Sequence, residues 1–111
     1  MTSPIIISLA GGVYCQPNTV LPSNCMLTVE LIHIGFSGIS RVMAASTTQV
    51  TQQAPIPFKL EYDTQEHGTR LLSARIEQDG CLLWTNNTRH EIELSDDHQV
   101  NLTINVVQVG A

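Results

Sequence analysis

The sequence is short of charge. Only 14% of its 111 residues are charged, against a usual fraction of about 25%. The formal net charge is -5. Nucleic-acid binding depends on neutralising phosphates with Lys and Arg, and anionic membrane surfaces attract the same side chains. The composition therefore argues against both kinds of partner, since the basic residues are few and scattered: Arg41, Lys59, Arg70, Arg75 and Arg89.

Long apolar runs are also lacking. No stretch reaches the roughly 20 apolar residues of a transmembrane helix. The N-terminal stretch is apolar, but it has no positively charged start of the kind that opens a secretory signal peptide. We expect this chain to be a mature or trimmed form. Any export signal or lipid anchor would then lie outside the sequence shown, and the protein would meet a membrane only through that anchor.

Cysteine is scarce and odd in number. The three cysteines are Cys15, Cys25 and Cys81, so at least one is unpaired within a monomer. None belongs to a Cys-x-x-Cys motif. Cys15 and Cys25 flank a connection rich in Pro and Asn, where a disulfide can close the base of a loop in an oxidising compartment. The alternative is three small buried side chains, as free cysteine often is.

Motifs for catalysis or metal binding are absent. Structural zinc sites take ligands at paired short spacings, which the cysteines and the four histidines do not show. The adjacent Asp96 and Asp97 are typical of a solvated turn rather than an acid–base pair. No Gly-x-Ser-x-Gly or other nucleophile motif occurs. We therefore expect no enzymatic activity, no catalytic residue, no metal and no cofactor.

What the sequence does contain is alternation of apolar and polar residues. It runs from Ile56 to Tyr62 and again from Leu72 to Glu77. Asp79-Gly80 then gives the signal of a two-residue hairpin turn, because such turns need positive φ at their central positions. No window shows the 3.6-residue period of an amphipathic helix. The pattern indicates strands joined by tight turns.

The strand pattern predicts the architecture. Turn signals recur roughly every ten residues, which is typical of an all-β sandwich. Parallel pairs need long crossovers, usually helical, so antiparallel pairing is favoured. We predict one domain over residues 1–111, an all-β antiparallel β-sandwich of seven or eight strands, with a small distorted barrel as the alternative. The predicted strands are 5–14, 26–34, 41–50, 56–62, 71–78, 81–85, 88–94 and 99–109.

Three features predict where particular strands lie. Pro57 has no amide hydrogen for a ladder, so its strand is expected at a sheet edge or at a strand start. The strand at 41–50 is rich in Ser, Thr and Gln and weakly patterned, so we expect it to be exposed or at an edge. Trp84, the one tryptophan, is expected to anchor the core.

Several apolar residues fall on faces that the alternation assigns to solvent. In a chain with few charges they can line a groove or contact patch, although sheet ends and loops can equally cover them. The surplus residues are Met26, Ile32, Ile34, Leu71, Leu83, Val107 and Val109. Our candidate partner-binding residues among them are Leu71, Leu83, Val107 and Val109.

The residues of the central stretch resemble those of a known family. Pro55-Ile-Pro-Phe58 leads to Tyr62-Asp63, Ser73-Ala-Arg-Ile76 follows, and Asn86-Asn-Thr88 comes after the turn at Gly80. In this order they resemble the YscW/YbaY-type lipoprotein family, which includes secretin pilotins of the type III secretion system. The resemblance runs from Leu9 to about Leu94.

The resemblance implies a function. It implies a periplasmic, outer-membrane-associated pilotin that binds the C-terminal segment of an outer-membrane secretin and assists its localisation and assembly. We predict that the protein is a monomer. The resemblance supplies no catalytic residue, and the sequence shows no lipobox. The alternative is a YbaY-like envelope lipoprotein with a ligand-binding role and no secretin partner.

Overall fold

The polypeptide forms eight β-strands in a computed structural model. The structure describes residues 6–16, 21–35, 37–51, 53, 55–63, 68–86, 90–94 and 98–109. These residues contain no helix, and so none that is long and apolar enough to cross a membrane. The strands are β1 (Ile6–Gln16), β2 (Cys25–Ile34), β3 (Ser40–Gln49), β4 (Ile56–Asp63), β5 (Gly68–Gln78), β6 (Cys81–Thr85), β7 (His90–Leu94) and β8 (Gln99–Gln108).

All eight strands join one sheet. Its order is β3-β2-β5-β6-β8-β1-β4, and β7 pairs with β5 off this path. The sheet curls until its two end strands come close to each other, a nearly closed arrangement that fits a sandwich or barrel description. The all-β prediction is confirmed.

One pairing departs from the predicted antiparallel pattern. β1 and β8 are parallel, whereas the other pairs are antiparallel. The crossover argument applies to strands that follow each other closely in the chain. Here the first and last strands meet, and the rest of the sheet is their connection, so no helical crossover is needed.

The core follows from the alternation. Every second residue of β4 is buried, and so are the inward positions of β2 and β5. Trp84 is only 4% exposed, which confirms its predicted place in the core. The largest fully buried side chains are Leu9, Leu27, Leu31, Leu72, Ile76, Ile104, Val13, Val29, Val106 and Cys25.

An extra residue in β8 shifts its facing pattern. Leu9 pairs with Gln99 and Gly11 with Leu102, so β8 has one residue more than β1 over this stretch. Asn101 has a φ of 63° there. Strict alternation with Ile104 and Val106 predicts that Val100 faces inward, but Val100 is 65% exposed. The prediction was wrong at this position because a bulge interrupts strict alternation.

A second bulge lies in β6. Ile76 pairs with Trp84 and Glu77 with Leu82, which leaves Leu83 as the extra residue. Leu83 packs against the core, and Leu82 is exposed instead. The sequence pattern had placed Leu82 on the same face as Trp84 and Leu83 on the opposite one.

The predicted edge strands are confirmed. β3 and β4 lie at the two ends of the sheet order. The residues of β3 are more exposed than those of the other strands. Pro57 lies on β4, which has one free edge. It pairs with Gly12 of β1, the strand next to β4. A proline costs little there, because no second neighbour needs its amide hydrogen.

Candidate functional site

An apolar row crosses the outer face of three neighbouring strands. Ile32 of β2 pairs with Val42 of β3 on one side and with Leu71 of β5 on the other. Ile34 lies two residues further along the same face of β2, and Ile39 precedes β3 and is 73% exposed. We call Ile32, Ile34, Val42 and Leu71 the outer patch. Ile39 is not part of it, because Ser40 pairs with Ile34 and the residue before Ser40 points to the opposite face. Single exposed apolar side chains are ordinary, but neighbouring ones on a single face form a candidate contact surface.

The other half of the same outer face is polar and paired. The Arg75 guanidinium donates to Glu30 at 2.7 Å and to Glu77 at 3.0 Å. The hydrogen bond that Arg75 donates to Glu30 is the main cause that raises the pKa of Arg75. The outer face of β2 therefore changes from polar at Glu30, which is held in an ion pair, to apolar at Ile32. The outer patch begins where the ion pairs end.

Polar groups frame the outer patch. A small cavity of about 80 Å³ is lined by Ile32, Ile34, Thr69, Arg70, Leu71 and Glu91. The Thr69 hydroxyl donates to Glu93 Oε2 at 2.6 Å, and Arg70 Nε lies 3.1 Å from Met43 Sδ. A polar rim around an apolar centre is the usual plan of a protein-binding surface.

The four candidate partner-binding residues do not meet at one place. Leu71 lies in the outer patch, while the Val109 amide donates to the Leu83 carbonyl at 2.8 Å and Val107 pairs with Thr85. Leu71 is four residues from Arg75, or about 13 Å at about 3.3 Å per residue, and Arg75 is the partner of Thr85. The second group thus lies one and two strands away from β5, on β6 and at β8, and Leu83 packs against the core.

Sequence reasoning misses one member of the outer patch. Ile32, Ile34 and Leu71 are among the surplus apolar residues of the sequence pattern, but Val42 is not. Val42 is in a weakly patterned strand, and only its register opposite Ile32 brings it into the row. The sequence feature that could have identified Val42 is an apolar residue in a polar strand that follows the surplus residues Ile32 and Ile34 in the chain.

The cysteines are free thiols in this structure. Cys15 and Cys25 are buried and Cys81 is exposed. Burial raises the pKa of Cys15, and the nearby Cys25 thiol raises it further. The Cys25 thiol contacts the Pro22 carbonyl oxygen at 3.2 Å. A thiol with a raised pKa is mostly protonated and reacts slowly. The Cys15–Cys25 bridge in an oxidising compartment stays a prediction.

Metal-ligating side chains do not gather in the part of the chain that the structure describes. No group of three or more His, Cys, Asp or Glu residues is found there. His98 Nδ1 accepts a hydrogen bond from the Ser8 amide at 3.0 Å, and burial lowers the pKa of His90. Asp96 and Asp97 lie outside the described residues.

Comparison with known proteins settles the family. The family model described as "Type III secretion system lipoprotein chaperone (YscW)" matches residues 6–106. The chain belongs to the YscW family. The resemblance inferred from the sequence is confirmed, and the match extends from β1 into β8, so it takes in the whole outer patch. A search of curated proteins found no match.

A solved structure has the same fold as this YscW-family chain. It is described as an alternative pilotin from the type II secretion system of Vibrio cholerae. The TM-score is 0.82 with 25% sequence identity, over 96% of this chain and 100% of the other. This protein therefore belongs to a secretion-system chaperone family and has a fold similar to that of a pilotin.

Proposed function

We propose that this protein is a secretin pilotin of a type III secretion system. It binds the C-terminal segment of an outer-membrane secretin and assists the secretin in reaching its membrane and assembling. The observation that carries the proposal is the outer patch, an uncovered apolar surface on a YscW-family fold similar to a known pilotin. The role needs no catalytic group.

The proposed binding mode places an amphipathic helix on the outer patch. A disordered tail that folds on binding lays its apolar side against such a surface. It loses conformational entropy in doing so, and affinity then depends on a few buried anchors. Ile32 and Leu71 form the centre of the row, and Val42 and Ile34 extend it on either side. Arg70 and Glu91 line the cavity beside this row and place polar groups next to the helix.

The place of action follows from the same proposal. The protein works as a monomer in the periplasm and is associated with the outer membrane. The family description as a lipoprotein chaperone of a secretion system supports an envelope location. The secretin tail is the partner, and neither nucleic acid nor a cofactor is involved.

A charge placed in the outer patch tests the proposal in cells. Ile34→Asp puts a carboxylate at a 44% exposed position, so it should spare the fold while blocking an apolar partner. We expect loss of secretin multimers from the outer-membrane fraction and loss of secretin co-purification. Met26→Asp is the matched control, because Met26 is 39% exposed and lies at the other end of the same face of β2.

Comparison of the variant with its control shows which results would contradict the proposal. If Ile34→Asp supports secretin assembly as well as Met26→Asp does, the outer patch is not the binding surface. If deletion of the whole protein leaves the secretin in place, the pilotin function itself is wrong. The alternative of an envelope lipoprotein with a ligand-binding role would then take its place.

A further inference from the structure

The sheet has an open seam between its two end strands. β3 and β4 come within 8 Å of each other at their Cα atoms, yet no ladder pairing joins them over the described residues. A cleft of about 520 Å³ lies between them, lined by residues 43–47 of β3 and 59–61 of β4. We call this cleft the seam.

The lining residues show that the seam lies in the plane of the sheet. Successive side chains of a strand point to opposite faces, so a pocket on one face is lined by every second residue. Here the lining residues are consecutive on both strands. The cleft is therefore bounded by strand edges, where backbone N–H and C=O groups that lack a neighbouring strand are presented.

The inner side of β3 is short of apolar volume at the seam. Ala44 pairs with Leu31, and Ser46 pairs with Val29, and both partners are fully buried core residues. Across the seam, Leu60 of β4 is also buried. Alanine and serine thus stand where the adjacent strands carry Leu or Val. The space they leave can be filled by apolar side chains that enter from elsewhere.

The two edges are protected to different degrees. Proteins guard free edges with proline and charged side chains, lysine above all. β4 carries Pro57 and the exposed Lys59. The stretch of β3 from Ala44 to Gln49 has neither a proline nor a charge. β3 is therefore the edge that can accept another strand.

We propose that the seam binds an extended peptide segment of a partner protein as an added strand on β3. The segment is uncharged and apolar at every second position, so that its inner side chains cover Ala44, Ser46 and Leu60. A second copy of the chain does not fit, because β4 lies alongside the edge and blocks the sheet to which a second copy's edge strand would be attached. Strands that flank a third lie about 9.6 Å apart, so binding moves β4 away from β3.

The probe for this site is the synthetic peptide acetyl-Thr-Val-Thr-Ile-Thr-Val-Thr-amide, titrated into the intact protein by calorimetry. We expect saturable binding, with slower amide exchange at residues 44–48 in hydrogen–deuterium exchange. The same peptide with proline in place of its central isoleucine should not bind, because proline cannot complete the ladder.

Two variants separate strand addition from other binding. Ser46→Leu fills the inner space from within and should weaken peptide binding at least about tenfold, or about 1.4 kcal/mol. Ala45→Leu adds a similar volume at the adjacent outward position and should leave binding unchanged. The outer-patch variant Ile34→Asp should also leave it unchanged, which keeps this site distinct from the proposed secretin site.

Three results would overturn the proposal. One is the absence of peptide binding in the wild-type protein. Another is binding that tolerates the proline peptide or Ser46→Leu. The last is protection of residues 44–48 that rises with protein concentration without any peptide, since a second copy of the chain would then occupy the edge.

Discussion

At the scale of single residues, Gly11 allows a close approach between the backbones of β1 and β8. A Cβ atom built on Gly11 would lie 1.9 Å from the Leu102 carbonyl oxygen. This is the point where β8 bulges and runs parallel to β1. Gly12, the next residue, would place its Cβ 3.2 Å from a Pro55 side-chain atom. Only the first of these contacts is with backbone, which cannot rotate away.

We therefore predict that Gly11→Ala destabilises the protein by about 1–3 kcal/mol, the usual range for overpacking. Gly12→Ala is the control and should cost less, because its neighbours can move by a few tenths of an ångström. Urea unfolding followed by Trp84 fluorescence measures both. Equal stability of the two variants would show that β1 and β8 do not pair as described.

The cysteines give a second prediction at this scale. In reduced, folded protein, Cys81 should react quickly with a thiol reagent, while Cys15 and Cys25 react slowly because burial raises their pKa. In protein made in an oxidising compartment, we expect one free thiol after denaturation without reductant. A count of three free thiols on exported protein would exclude the Cys15–Cys25 bridge.

At the scale of the strands, β5 is the central element. It pairs with β2 along one side, and along the other with β7 over 68–72 and β6 over 75–78. The Asn86 side chain bridges the gap between β7 and β6. Its Oδ1 accepts from the Ala74 amide at 3.1 Å, and its Nδ2 donates to the Leu72 carbonyl at 3.2 Å. The Asn86 side chain thus makes hydrogen bonds to β5 that a neighbouring strand would otherwise make.

Replacing this side chain tests its bridging role. Asn86→Ala leaves a backbone donor and an acceptor of β5 without these partners and should cost about 1–3 kcal/mol. Asn86→Asp keeps the acceptor for Ala74 but loses the donor to Leu72, so we expect an intermediate loss. Thermal and urea unfolding measure the series. An alanine variant as stable as the wild type would mean that other groups satisfy β5.

The strands themselves could be predicted from the sequence, because period-two alternation is a local property. The edge positions of β3 and β4 could be predicted as well, from Pro57 and from the weak pattern of 41–50. The parallel β1–β8 pair and the bulges in β8 and β6 could not, and neither could the extra residue of β3, Met43, between the Leu31–Ala44 and Ile32–Val42 pairs. Register is set by contacts between distant parts of the chain. The outer patch depends on register too, which is why Val42 was missed while Ile32 was found.

At the scale of the whole molecule, one sheet presents two unlike surfaces. The outer patch is apolar and lies on the face of β2, β3 and β5, whereas the seam is an edge lined by small and polar side chains of β3 and by β4. β3 contributes to both, with Val42 on the face and residues 43–47 at the edge. The two proposed sites thus differ in the ligand they bind: the outer patch binds an amphipathic helix, and the seam binds an extended strand.

The central claim is that the outer patch captures a secretin tail, and calorimetry with a synthetic peptide tests it most directly. The peptide is the C-terminal segment of the secretin encoded alongside this protein. We predict saturable one-to-one binding, retained by Met26→Asp and lost in Ile34→Asp, with helical circular dichroism gained by the peptide when it binds. No heat of binding to the wild-type protein, or equal binding by both variants, would contradict the account.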